Sequence, residues 1–215
     1  MKLSNIFWQL LIFCFSYSVL FSGEKPVGQE LWLGGGIKYE FLKDWEVFGE
    51  FESRKETTGK SETTNLFDLG VAYDLNKYVS ANIATRIRDK RDRTDLEYLM
   101  AIIGNYKFKP FELSGRLRYH RKYEKDDTPN NYLRMKLSFE YNITKDLSVQ
   151  VQSEAFYLFL FDDGDRFDKL RSGVELDYEI INSLKISAFW LYEDEFNVKK
   201  PQDTRIFGLG WKCSL

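Results

Sequence analysis

The sequence predicts an all-β chain, a transmembrane antiparallel meander β-barrel of about 10–12 strands behind a cleaved N-terminal signal peptide. Three observations predict it. Apolar and polar residues alternate through segments of about ten residues, longer than the usual strands of soluble sheets and suited to a tilted membrane crossing. Tight turns recur about every 33 to 38 residues, the length of two strands plus a polar connection. Aromatic residues gather beside those turns, where an interfacial girdle would lie.

The chain opens with Lys2, an apolar run from Ile6 to Phe21 broken only by Gln9, Ser16 and Ser18, and then Ser22-Gly23-Glu24-Lys25-Pro26. This is the order of a secretory signal, and the run is shorter than the ~20 residues a retained anchor helix would need. Cleavage between Ser22 and Lys25 divides the chain into a signal peptide, 1–23, and a barrel domain, 24–215. It also removes Cys14, leaving Cys213 to pack as a small apolar side chain with no internal disulfide open to it. No Cys/His cluster offers a zinc site, and no motif calls for a cofactor.

The net charge is −2 although 30% of residues are charged, so no basic excess selects nucleic acid as a partner. The mean hydropathy of −0.43 excludes a helical membrane protein. It says nothing against a barrel, in which only alternate residues meet lipid.

Strands are expected at 31–42, 45–56, 64–75, 78–90, 94–108, 111–123, 131–143, 147–160, 167–180, 184–194 and 204–215. Short turns join them at Lys43-Asp44, Asn76-Lys77, Lys109-Pro110, Thr144-Lys145-Asp146 and Asn182-Ser183. Longer polar connections are expected near 55–63, 89–94, 124–131, 161–166 and 194–204. Short turns at one end and longer loops at the other are the asymmetry of outer-membrane barrels, whose short turns lie in the periplasm. The segment 131–143 alternates most regularly: Leu133, Met135, Leu137, Phe139, Tyr141 and Ile143 share one face, and Arg134, Lys136, Ser138, Glu140 and Asn142 the other. A soluble periplasmic β-protein burying the same apolar face is the competing fold. The girdle of Tyr39, Phe41, Trp45, Tyr73, Tyr78, Tyr106, Phe108, Phe111, Tyr141 and Tyr178 weighs against it. So does an amphipathic last strand carrying Phe207, Leu209, Trp211, Cys213 and Leu215 on one face, the form that would engage barrel-assembly machinery.

The strand count comes out odd, whereas bacterial single-chain barrels normally have an even number. Residues 24–30, with Pro26 and Gly28, read as too short and broken for a twelfth strand. The segment 31–41, with Gly34-Gly35-Gly36, is expected either to enter the lumen before joining the wall or to mark a strand assigned wrongly elsewhere.

With apolar faces toward lipid, the opposite faces bring Glu50, Glu52, Arg54, Arg86, Arg88, Arg116, Arg118, His120, Arg134, Glu154, Arg171 and Glu175 into the lumen. In so narrow a space opposite charges pair, giving either a structural, salt-bridged interior or a narrow channel for ions or small solutes, biased toward anions. A lipid-modifying acyl hydrolase or transferase is the alternative from chemistry: His120 as base, Ser138 as nucleophile and Glu154 as orienting group. Against it, all three point to the lumen, and no nucleophile elbow is present. Arg86 to Arg93 alternates bases with acids and suits a strand end near lipopolysaccharide phosphates, while Asp162-Asp163-Gly164-Asp165 lacks the spacing of a calcium loop and reads as a turn. The expected partners are therefore outer-membrane lipid, lipopolysaccharide and the assembly machinery, around a monomer.

Trp32, the turn with Trp45, Arg54, the pairs Arg86/Arg88 and Arg116/Arg118, Leu133-Arg134, Ser153-Glu154-Ala155-Phe156 and Leu170-Arg171-Ser172-Gly173 follow one another along nearly the whole mature chain. In that order and spacing the chain resembles an uncharacterised bacterial outer-membrane family, domain of unknown function 2490. The resemblance implies a barrel and no established activity.

Overall fold

A computed structural model describes residues 25–59, 61–123, 130–159 and 164–215. The expected signal peptide, Cys14 and the Asp162-Asp163 half of the acidic motif lie outside the described residues. The strands are β1 (Val27–Leu42), β2 (Trp45–Glu56), β3 (Thr63–Asn76), β4 (Val79–Lys90), β5 (Arg93–Phe108), β6 (Phe111–Tyr123), β7 (Asn130–Asn142), β8 (Leu147–Phe159), β9 (Arg166–Ile181), β10 (Leu184–Glu195) and β11 (Asp203–Ser214). Each pairs antiparallel with the next, and β1 closes the barrel against β11.

That closure resolves the parity problem. β1 and β11 run parallel, Val27 opposite Asp203 through to Lys38 opposite Ser214, so eleven strands close without a twelfth. Two expectations are corrected here. The glycine run does not enter the lumen: β1 stays in the wall along its length, and it begins at Val27, inside the segment that read as too broken. The glycines serve close approach instead. A Cβ on Gly35 would lie 2.1 Å from the indole of Trp211, which folds over the strand from β11.

Turn chemistry follows the sequence at one end, where Asp44 takes the left-handed φ of 66° that a tight hairpin needs. At the other end the expected long connection at 89–94 is a two-residue turn, Arg91-Asp92, because the β4–β5 ladder continues to Lys90 opposite Arg93. The outward side chains are large and apolar, with Leu69 68%, Ile83 61%, Leu137 60% and Leu209 58% exposed. Near the short turns they give way to rings in contact, such as Trp45 with Tyr73 at 4.7 Å and Tyr78 with Tyr106 at 5.8 Å. Phe111 departs from the expected exposed girdle: it is buried among Phe108, Phe139 and Tyr141.

Candidate functional site

Strand parity carries the inward residues, and the ladders set their heights. Arg118 stands opposite Arg134, Arg116 opposite Lys136, Lys136 opposite Glu154, and Glu154 opposite Arg171. Basic side chains thus crowd one wall, and acids from neighbouring strands answer most of them.

Three carboxylates organise the network. Glu154 accepts from Arg134 at 2.8 and 3.2 Å and from Arg116 at 2.9 Å, with Arg171 at 3.8 Å. Glu97 accepts from Arg88 at 2.6 Å, and the His120 ring nitrogen lies 2.7 Å from its other oxygen. Glu193 joins Arg171 and Lys169, the latter at 2.8 Å. Alongside them Asp68 takes both ends of the Arg86 fork at 2.6 and 2.7 Å, and Arg54 bonds Glu52 at 2.6 Å. Two inward rings brace the cations: Trp32 lies under Arg54 at 3.8 Å and Arg171 at 4.9 Å, and Phe156 under Arg134 at 4.7 Å and Arg171 at 5.0 Å. Such stacking suits guanidinium, which is planar and weakly hydrated.

The network fills the half of the barrel nearest the long loops. There Glu97 is 0%, Ile206 1% and Leu66 2% exposed, whereas Lys38, inward at the short-turn end, has a side chain 51% exposed. Among the described residues, two cavities lie in the remainder. One, of about 270 Å³, lies mid-barrel between Trp32, Arg86, Arg134 and Lys212. The other, of about 590 Å³, is lined by Lys38, Glu46, Ser80, Glu179 and Lys185 toward the short turns. They share Gly36, Glu50, Arg116, Arg118 and Lys212, which form a waist between them.

Of the sequence candidates, Glu50, Glu52, Arg54, Arg86, Arg116, Arg118, Arg134, Glu154, Arg171 and Glu175 line the mid-barrel cavity, and Arg88 and His120 meet at Glu97 above it. The hydrolase arrangement is not assembled. Ser138 shares its proton with Ser114 at 2.5 Å and stands six register positions, roughly 20 Å, from Tyr132, the residue opposite His120. Glu154 is occupied by its arginines. Asp68, Glu97 and Glu193, three of the acids that complete the network, were missed by sequence reasoning. On β5 residues such as Leu99 and Ala101 face inward and Leu96, Met100 and Ile102 outward, so alternation gives no side; Asp95 and Glu97, two residues apart, were its only signal.

A closed meander with large apolar side chains outside and a charged, partly filled interior defines an eleven-stranded β-barrel of the membrane type. The chain belongs to the family described as Protein of unknown function (DUF2490), whose model matches residues 29–204. No curated protein matches the sequence. Among solved structures the fold is similar to the NanC porin in a rhombohedral crystal form, with TM-score 0.52 and 14% identity over 73% of this chain and 78% of that one. A second structure, described as "Unveiling the Mechanism Behind the in-meso Crystallization of Membrane Proteins", aligns at TM-score 0.40 and 14% identity over 74% of this chain and 68% of that one.

Proposed function

We propose that the protein is an outer-membrane β-barrel with its short turns in the periplasm, its lumen plugged toward the long loops by ion pairs and open on the periplasmic side as a vestibule lined by both signs of charge that leads up to a cationic waist. The observation that carries this is the asymmetry of the lumen: inward residues of the long-loop half such as Asp95, Glu97, Asp203 and Ile206 are buried to near-zero exposure, and the cavities lie mid-barrel and toward the short turns. The outward apolar band supports the membrane location, since side chains such as Leu69 and Leu137 are favourable at that exposure only against lipid. The N-terminal leader supports export, and β11, with Phe207, Leu209 and Trp211 outward, is the strand offered to the assembly machinery of a monomeric barrel. Lipid contacts the band, and lipopolysaccharide phosphates meet the basic strand ends around Arg91 and Arg93.

A narrow anion-biased channel is the second reading. It is favoured by the shared waist, which joins the two cavities into one tract through the middle of the barrel. Conductance in planar bilayers separates the two, after unheated and boiled samples are shown to migrate differently on a gel. The plugged barrel is heat-modifiable and electrically silent. Steady, salt-dependent steps from the wild-type protein would replace it with the open channel.

A further inference from the structure

The ion-pair network leaves a remainder at the waist. Arg118 lines both cavities, yet its side chain has no hydrogen-bond or ion-pair partner among the described residues, and its Nε is buried without one. The Nε of Arg116 is buried and unsatisfied too, its guanidinium meeting Glu154 only through Nη2. Lys136 and Lys212 line the same space with no ion pair among the described residues, within electrostatic reach of each other. Around the mid-barrel cavity as a whole, eight cationic side chains face five acidic ones. Buried donors of this strength are ordinarily satisfied, so the imbalance marks where an acceptor belongs.

The opposite wall has a different chemistry. Gly34 and Gly36 of β1 and Gly210 of β11 leave it without bulk, and Phe189, packed against the buried Trp32 and Leu191, gives it an apolar surface. Phe189 lies flat there because Gly208 has no side chain: a Cβ would stand 2.1 Å from its ring. The cavity therefore presents the donors of β6 and β7 on one side and, between Lys212 and the Arg54–Glu52 pair, an apolar patch on the other. Its volume of about 270 Å³ is at the small end for ligand sites.

We propose that Arg118, with Arg116, Lys136 and Lys212, forms a binding site for a small organic anion, its carboxylate or phosphate held by these cations and its apolar part laid against Phe189. Guanidinium recognises both acid groups through paired N–H donors. Glu50 and Glu175 also line the cavity, and they set an upper limit on the ligand's charge by repelling a polyanion. The site rests on the vestibule reading only for the side from which ligand enters, the periplasmic one.

Isothermal titration of the full refolded barrel at low salt, with benzoate, the neutral benzamide and inorganic phosphate as probes, tests the site. Benzoate binds at one site per barrel, phosphate binds more weakly for lack of an apolar face, and benzamide does not bind. R118A remains heat-modifiable and loses at least tenfold in benzoate affinity, while R118K recovers part of it. Should R118A fail to fold, K212A on the opposite strand serves the same purpose. Benzoate and benzamide binding alike, no binding of either acid, or folded R118A and K212A barrels that bind as the wild type does, would each overturn the proposal. Conductance distinguishes the two readings: a silent barrel without anion binding removes the site and leaves the plug, whereas a conducting barrel that binds benzoate does the reverse.

Discussion

Among the lumen arginines, neighbours of like charge have opposite structural consequences. Arg134 and Arg116 converge on Glu154, so the carboxylate is the keystone and the cations depend on it. Replacing Glu154 with Ala strands both guanidinium groups in a space that water enters poorly, and breaking a buried pair in this way costs about 3–5 kcal/mol. Arg118 has no such partner among the described residues and lies beside Arg116 and Arg134. Removing it relieves repulsion and ends an uncompensated desolvation. Urea unfolding, read as loss of the fast-migrating gel band, should therefore show E154A unfolding at clearly lower urea and R118A at the wild-type concentration or above. A loss of stability in R118A equal to that in E154A would mean that Arg118 is held by contacts the ion-pair network does not explain.

The strand that decides the architecture is β1, and its partner is the one feature no local pattern encodes. Alternation, turn residues and aromatic positions are short-range signals, so they placed the other strands to within a residue or two: 45–56 matches β2 and 111–123 matches β6 without change. Parallel pairing of the first and last strands depends on barrel closure, a property of the whole sheet, and the odd count was its only trace. The site was legible to the same degree. Cations on strands with polar inner faces, such as Arg116 and Arg134, stood out, whereas Glu97 was hidden on a strand with apolar residues on both faces. Closure is testable directly. Leu33 and Leu209 are register partners on the lipid-facing side, close enough for a disulfide. In a C213S background, L33C/L209C should cross-link on oxidation and keep the boiled barrel in its fast-migrating form. Cross-linking of L33C to a cysteine at Leu215 instead would mean that the register is displaced.

For the whole molecule, eleven crossings have a consequence that an even number lacks: the chain enters the barrel at one end and leaves it at the other. β1 and β11 both begin among the long loops, and β11 ends beside the short turns, where the Leu215 nitrogen donates to the Lys38 carbonyl at 2.9 Å. The entering segment is fastened to the long-loop end. Lys25 bonds Asp194 and lies 3.4 Å from the fully buried Asp203, and the hydrogen bond to Asp194 raises its ammonium above the usual lysine pKa of 10.5, so it is charged at neutral pH. The Asp203 nitrogen adds a bond to the Pro26 carbonyl at 3.1 Å. With short turns in the periplasm, Lys25 lies at the cell surface and Leu215 beneath the membrane. An epitope placed directly before Lys25, behind the secretion signal, should be reached by antibody on intact cells, and the same epitope after Leu215 only after permeabilisation. The reverse pattern would invert the barrel in the membrane and turn the vestibule outward. Both epitopes on one side would require an even number of crossings, and the parallel closure would fall with it.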